Sequence, residues 1–392
     1  MSITLSSEQA EALKEIGSWY KAKRVQTLTL GGYAGTGKTT LIAYLREALR
    51  DYDNETKVAF CAFTGKATRV LDTRLREQKV PRRGDSVSTI HALIYHAKTD
   101  LAGAVTGWVK RDELGYDLII VDEASMVDEA IWQDLLSFNL PILAVGDHGQ
   151  LPPINSSFNL MAEPQIRLER IFRQDAASPI IEVATLARTT GEIPIKDYGS
   201  GVIKLDRAEA ETGQIVEDLL SGYSPDLLVL CGYNKTRVRL NEAVRNFRES
   251  FSAQPESGDY VVCLRNDRRK KLYNGMSGTI SFIGPAEGPK DAQWYYASID
   301  LEGEDVLFDG FIWADQFGSV LPPGEIPLAP NKRPGNIFDF GYALTVHKAQ
   351  GSQSRKVLLF EERFAKMSED DWRRWLYTAV TRASEELVII GS

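Results

Sequence analysis

Apolar positions along the chain follow two alternating spacings. Over residues 7–23, Ala10, Leu13, Ile16, Trp19 and Tyr20 recur at helical intervals, which places them on one face of a helix. Short, near-continuous apolar runs occupy 25–30, 58–63, 118–121 and 142–145, separated by segments of helical spacing, the first of which runs to about residue 50. Strands covered on both faces read as such runs, and their alternation with helices predicts a parallel sheet between helical layers. The pattern resumes after residue 225, with strands at 227–230, 357–360 and 387–390 and helices at 235–248 and 371–382. The fold class is therefore α/β, with two parallel-sheet domains in tandem, at 1–172 and 173–392.

Two stretches break the pattern. Between 78 and 115, polar and glycine-containing sequence separates two strands of the first sheet. That is longer than the roughly 2–6 residues that ordinarily connect strand and helix in such folds, and long insertions are often functional. Between 255 and 335 the helical signal disappears. Segments with β-type alternation (260–264, 278–283, 294–299, 306–311) replace it, punctuated by glycine and proline. A small β-barrel inserted into the second domain is the economical reading.

Bulk properties narrow the class only slightly. No apolar run approaches the ~20 residues that a membrane-spanning helix needs, and the polar start MSITLSSEQAEAL has no secretory character. Cys61, Cys231 and Cys263 lie far apart in apolar stretches without metal-ligand spacing, so they read as buried reduced thiols suited to a cytosol. The net charge of −8 argues against a surface that grips nucleic acid all over, but leaves room for a narrow basic channel.

Motifs decide more. Gly32-Tyr33-Ala34-Gly35-Thr36-Gly37-Lys38-Thr39 fits G-x-x-x-x-G-K-[ST] between a predicted strand and a predicted helix, and Thr40 follows. Glycines let backbone N–H groups turn around phosphates, and the helix N-terminus adds the positive end of its dipole. Lys38 is expected to bridge the β- and γ-phosphates and Thr39 to ligate Mg²⁺. The apolar run 118–121 delivers Asp122 and Glu123 to a strand's C-terminal edge, where ligands bind in open α/β sheets. Asp122 is the second expected Mg²⁺ ligand, and Glu123 the residue that orients or deprotonates the attacking water. Gln150, in Gly146-Asp147-His-Gly-Gln150-Leu-Pro-Pro153, is either a γ-phosphate sensor or an ordinary loop glutamine.

With these segments in place, the chain resembles a superfamily 1 DNA helicase of the Dda and RecD type along nearly its whole length. Ala62-Phe-Thr64-Gly65-Lys66-Ala and Ser88-Thr-Ile-His91 are similar to the family's segments Ia and Ib, and DEAS and GDHGQLPP to segments II and III. Leu168-Glu-Arg-Ile-Phe-Arg173-Gln resembles segment IV. Tyr342-Ala-Leu-Thr345-Val-His347-Lys348-Ala-Gln350-Gly351-Ser resembles segment V, and Tyr377-Thr-Ala-Val-Thr-Arg382-Ala segment VI. The resemblance implies two RecA-like domains, the inserted barrel being SH3-like and 78–115 carrying a hairpin pin. It implies ATP and Mg²⁺ as cofactors, with Gly351 among the nucleotide contacts and Arg173 and Arg382 stabilising charge on the transferred phosphoryl group. Gln9 matches the family's adenine-reading glutamine, although Ser6-x-x-Gln9 also fits a helix capping box.

The implied track is single-stranded DNA, held through phosphates and stacking. Thr64, Gly65, Lys66 and His91 in the first domain, and Asn234, Thr345, His347 and Lys348 in the second, are the expected contacts. Trp108, in the glycine-flanked insertion, is either a strand-separating wedge or a core residue. The basic stretch Arg265, Arg268, Arg269, Lys270 and Lys271 is either a DNA contact or a solvated hairpin. The expected activity is 5′→3′ translocation with duplex unwinding, by a monomer in a bacterial or phage-infected cytosol. Its expected partners are single-stranded DNA and its junctions with duplex, alongside single-strand-binding or replisome proteins. A translocating subunit that unwinds only with partner proteins, and a nucleotide-switched binder without turnover, are the alternatives.

Overall fold

The structure is a computed structural model that describes residues 5–99, 105–153, 158–170, 178–265, 267, 270, 272, 274–285, 294–302, 307–321 and 335–392. The chain divides into two compact units, Met1–Ser178 and Pro179–Ser392.

In the first unit, α1 (Ser7–Ala22) leads to β1 (Thr27–Gly32), α2 (Lys38–Tyr52), β2 (Val58–Ala62), α3 (Gly65–Glu77), β3 (Ser86–Thr89) and α4 (Ile90–Ile94). There follow β4 (Tyr95–Thr99), β5 (Val105–Lys110), β6 (Leu118–Asp122), α5 (Glu129–Leu136), β7 (Ile142–Gly146) and β8 (Ile166–Leu168). Six strands form one parallel sheet in the order β3-β2-β6-β7-β1-β8. Successive side chains of a strand face opposite sides. Val58, Phe60, Leu118, Ile120, Leu143 and Val145 accordingly pack into one buried cluster with residues of α1, α2 and α3. Ala59, Cys61, Ile119, Val121, Ile142 and Ala144 pack into a second with α4 and α5. Two hydrophobic faces per strand explain the unbroken apolar runs.

The interval 78–115 divides differently from the sequence expectation. Among the described residues, β4 and β5 form a separate antiparallel hairpin, while β3 is an edge strand of the main sheet, running from Ala59↔Ser86 to Ala62↔Thr89. Its sequence, Ser-Val-Ser-Thr, has no apolar run by which to detect it. A buried ion pair fixes the approach to this edge. Arg46 Nε meets Asp85 Oδ2 at 2.9 Å, and Asp85 also accepts from the N–H groups of Val58 (2.9 Å) and Arg82 (2.8 Å).

The second unit contains α6 (Pro179–Thr189), β9 (Lys196–Gly199), β10 (Val202–Asp206), α7 (Ala210–Ser221), β11 (Leu227–Cys231) and α8 (Asn234–Phe247). It continues with β12 (Tyr260–Cys263), β13 (Ser277–Pro285), β14 (Trp294–Leu301), β15 (Phe308–Trp313), β16 (Phe338–Phe340) and β17 (Ala343–Thr345). β18 (Ser354–Phe360), α9 (Glu369–Val380) and β19 (Ala383–Gly391) complete it. Its main sheet, β17-β11-β18-β19-β10-β9, is parallel except for the β9–β10 pair. Here the chain is an α/β protein built on two parallel sheets.

The insertion is a five-stranded antiparallel sheet, β15-β14-β13-β12-β16. A bridge from Ile312 to Asn336 ties its two edges. The fifth strand lies beyond the expected limit of 335, because β16 pairs with β12 through Val261↔Phe340. Arg237 on α8 locks this strand to the main sheet. Its Nη1 meets Asp339 Oδ2 at 2.7 Å with both side chains buried, and its Nη2 donates to Ser319 O at 2.6 Å. All three cysteines are buried and free. Among the described residues, no helix is long and apolar enough to cross a membrane.

Removing one member of a buried pair leaves the other charge uncompensated, which typically costs about 3–5 kcal/mol. Asp85→Ala is therefore expected to lower the urea midpoint of the first unit's unfolding by a corresponding amount. An unchanged midpoint would show that the Arg46–Asp85 pair does not hold the β3 edge.

Candidate nucleotide and nucleic-acid sites

β1 ends at Gly32 and α2 begins at Lys38, so residues 33–37 form a tight loop over a helix N-terminus. Gly35 (φ +83°) and Gly37 (φ +79°) take the left-handed backbone that favours glycine. At Gly37 a Cβ would also lie 2.4 Å from Gln9 Nε2. Thr36 is fully buried and folds inward, its hydroxyl donating to Tyr33 O at 2.9 Å. Lys38 Nζ donates to Gly32 O (2.7 Å) and Tyr33 O (3.1 Å), holding the ammonium over the loop. The first turn of α2, with Thr39 and Thr40, presents backbone N–H groups that the helix itself leaves unmatched. A cationic head above such a turn is an anion cradle.

Asp122 closes β6 beside β2 and β7, and its Oδ1 accepts from Glu123 N at 3.0 Å. Burial, and after it the neighbouring Glu123 charge, pushes the Asp122 carboxyl up to about 6, while Lys38 pulls in the opposite direction. Glu123 adopts φ +52°, a left-handed conformation that is rare for a side-chain-bearing residue and tends to mark functional turns. The Asp122 carboxylate and the Thr39 hydroxyl are hard oxygen donors of the type Mg²⁺ accepts alongside phosphates. A cation there would relieve the unfavourable charge on Asp122, so the residues fit the metal.

The loop after β7 reaches the same edge. Asp147 is buried; its Oδ1 accepts from Gly149 N (2.9 Å) and its Oδ2 from Gln150 Nε2 (3.2 Å). Gln150 is itself buried. The His148 ring lies 4.2 Å, centroid to centroid, from that of Tyr33, joining this loop to the phosphate loop. Burial holds the His148 imidazole below its ordinary value. Sequence reasoning passed over His148; its aromatic ring between Asp147 and Gln150 was the available signal.

Gln9 realises the capping box: Ser6 N donates to its Oε1 (3.0 Å) and its own N–H donates to Ser6 Oγ (3.1 Å). Its Nε2 then donates to Thr36 O at 3.0 Å, so one amide both starts α1 and braces the phosphate loop. Glu8, also overlooked, accepts from the N–H groups of Glu169 (2.9 Å) and Arg170 (3.1 Å), just ahead of Arg173. Arg173 lies outside the described residues.

The expected DNA contacts of the first unit gather near strand ends. Thr64 caps α3, accepting from Ala67 N at 3.1 Å, and Gly65 is the first helical residue. The Lys66 side chain lies outside the described residues. His91 on α4 has its ring 6.2 Å from Phe63 and 5.7 Å from Tyr95. Trp108 is on β5 opposite Ala97, with its side chain outside the described residues.

In the second unit, Asn234 opens α8 and its Oδ1 accepts from Arg237 Nε at 3.4 Å. Thr345 is buried at the end of β17. Burial lowers the His347 imidazole; burial, and after it the Arg237 charge, lowers Lys348 to about 8. Gly351 takes φ +73° at the next turn. Arg382 is buried, donating to Thr378 O (2.9 Å), Ser352 O (2.9 Å) and Thr381 Oγ1 (3.2 Å), which ties segment VI to the end of segment V. Within the basic stretch, Arg265 donates to Gly335 O at 2.8 Å and Lys270 Nζ lies 5.0 Å from the Phe308 ring centroid. Arg268, Arg269 and Lys271 lie outside the described residues.

Known proteins match this arrangement. Residues 4–204 match the AAA domain family and residues 340–390 the UvrD-like helicase C-terminal domain. The chain is 30% identical to the ATP-dependent RecD2 DNA helicase of Deinococcus radiodurans, over 99% of its own length and 49% of the relative's. It is 34% identical to the RecBCD enzyme subunit RecD of Buchnera aphidicola, over 92% of this chain and 69% of that one. The chain thus spans about half the length of the RecD2 relative. A Bacteroides Pif1 helicase solved with ADP-AlF3 and single-stranded DNA shares the fold, with a TM-score of 0.55 at 18% identity, over 100% of this chain and 93% of that one. A structure of two coordinating Pif1 helicases at forked DNA aligns with a TM-score of 0.56 at 17% identity, over 99% and 92%. The site and fold define a P-loop protein with an AAA domain. The chain belongs to the RecD-like group of superfamily 1 helicases.

Asp122 generates a pH prediction. Its folded pKa of about 6 lies above the ordinary 3.8, so the native state holds the proton more tightly, and this contribution to stability is lost as pH rises from about 4 through about 6. In nucleotide-free protein Asp122→Asn is therefore expected to be more stable than wild type at pH 7, with the advantage vanishing near pH 4. Urea unfolding at both values checks this; equal midpoints at pH 7 would contradict it.

Proposed function

We propose that this chain is an ATP-dependent DNA helicase that moves along single-stranded DNA in the 5′→3′ direction and separates duplex ahead of it. The observation that carries the reading is the Asp122–Glu123 pair at the C-terminal end of β6, in the same parallel sheet as β1, whose end leads into the phosphate loop with Lys38. An ammonium over a phosphate loop with an acidic pair nearby suits hydrolysis better than passive nucleotide binding. The 30% identity to a RecD2 DNA helicase across 99% of the chain supports DNA as the track.

In this reading Lys38 and the α2 N-terminus hold the β- and γ-phosphates. Thr39 and Asp122 would hold Mg²⁺, which would neutralise phosphate charge. Glu123 aligns the water, with Gln150 reporting on the γ-phosphate. Arg173 and Arg382 carry the charge that develops on the transferred group, and Gly351 contributes to nucleotide contact. Gln9 reads the base while bracing Thr36. Thr64, Gly65, Lys66 and His91, and Asn234, Thr345, His347 and Lys348, form two grips on the DNA backbone. ATP drives movement only if its affinity differs between two conformations, so the grips must alternate in strength with nucleotide state.

Lys38→Ala is expected to cut DNA-stimulated ATP turnover by about 10²–10³-fold or more, the range seen on removing one transition-state donor, while preserving the circular dichroism spectrum. Turnover at the wild-type rate would refute the phosphate-site assignment. Polarity is read from duplexes with single-stranded tails: unwinding is expected from a 5′ tail, and unwinding only from a 3′ tail would reverse the assigned direction.

A further inference from the structure

The hairpin β4–β5 leaves the main sheet of the first unit between β3 and β6, and Asp134 on α5 meets both of its strands at the root. Tyr95 and Lys110 face each other as the first cross-strand pair of the hairpin. Both reach the same carboxylate: the Tyr95 hydroxyl donates to Asp134 Oδ2, and Lys110 Nζ lies 3.4 Å from Asp134 Oδ1. Lys110 Nζ also donates to Ser137 Oγ at 3.0 Å, and that hydroxyl donates to Asp134 O at 2.6 Å. Burial, and after it the hydrogen bond to Asp134, pushes the Tyr95 phenol up to about 12, so it remains a donor throughout the neutral range.

Asp134 stands on a rigid platform. α5 is capped by Asp128, whose Oδ1 accepts from Ile131 N at 2.9 Å, and Ile131, Trp132 and Leu135 are buried beneath the sheet. The helix begins six residues beyond Glu123. A two-stranded ribbon alone is at best marginally stable in water. Leverage at its far end therefore depends on how its root is fixed. The ring of His91, between those of Phe63 and Tyr95, adds a second contact at the root, from the end of β2.

We infer that Asp134 is a positioning residue that clamps the root of the β4–β5 hairpin through Tyr95 and Lys110, so that force from the motor reaches the duplex without being lost in bending of the ribbon. The inference rests on the helicase reading above, with the β4–β5 hairpin as the element that meets the duplex. It assigns the clamp to strand separation and leaves ATP turnover independent of it.

The test compares wild type with Asp134→Ala, Tyr95→Phe, Lys110→Met and the Tyr95→Phe/Lys110→Met double variant. Three quantities are read: ATP turnover stimulated by single-stranded DNA, duplex unwound per ATP hydrolysed, and hydrogen exchange of the β5 amides. Asp134→Ala is expected to keep turnover within about twofold while unwinding per ATP falls about tenfold, the order expected for losing a charge-assisted hydrogen bond. The β5 amides should exchange faster by a similar factor, each single variant should show part of the loss, and the double variant should match Asp134→Ala. Unwinding per ATP at the wild-type value, or turnover falling in step with unwinding, would overturn the clamp. If wild type unwinds no duplex, the helicase reading fails. The clamp is then judged on exchange alone, and unchanged β5 exchange in Asp134→Ala overturns it.

Discussion

Two carboxylates of like charge, side by side at one half-buried strand end, repel each other with little water to disperse that repulsion. The first unit is organised around holding Asp122 and Glu123 in this condition. The all-parallel sheet brings β6 between β2 and β7 and covers both faces with apolar side chains, so the strand cannot retreat toward solvent. Asp122 is consequently held far above the ordinary carboxyl range, and Glu123 is turned into a left-handed backbone. The opposing charge comes from Lys38, which the phosphate loop suspends by two of its carbonyls. On the proposed reading, a metal-bound nucleotide would bring this site both a cation for the carboxylates and an anion for Lys38.

Polar ties join the site to neighbouring elements. Gln9 connects the phosphate loop to the start of α1, and Glu8 connects α1 to the backbone of Glu169 and Arg170. Tyr33 and His148 join the phosphate loop to the loop that carries Gln150. On the proposed reading, short polar ties of this kind would carry a change at the phosphates to several strand ends at once. In the second unit the same economy appears around Arg237, which joins α8 to both Asp339 and Ser319 and, after burial, helps to lower Lys348. The inserted sheet is thereby fixed close to the segment that carries Thr345, His347 and Lys348.

Much of this was legible in the sequence because burial on two faces writes itself as apolar runs. β2, β6, β7 and β11 fall where those runs lie, and the glycines and lysine of the phosphate loop have no comparable alternative use. What escaped lacked that signature. β3 is a polar edge strand whose place is fixed by pairing with β2 and by the buried Asp85. β16, three residues long, depends on β12 and on Arg237, more than 100 positions away. Glu8, His148 and Asp134 act through contacts between elements, which no local spacing encodes. The capping box at Ser6–Gln9 shows a different limit: the motif was visible, but only the fold shows that the same side chain also reaches Thr36.

The proposed function makes the Asp122–Glu123–Lys38 site an engine whose cycle is set by DNA. Phosphate release by the purified chain, measured with Mg²⁺ and ATP in the presence and absence of single-stranded DNA, tests it most directly. A DNA-driven motor predicts slow turnover alone and a severalfold, saturable rise on adding the strand. Turnover that is the same with and without DNA, or no turnover under either condition, would contradict it.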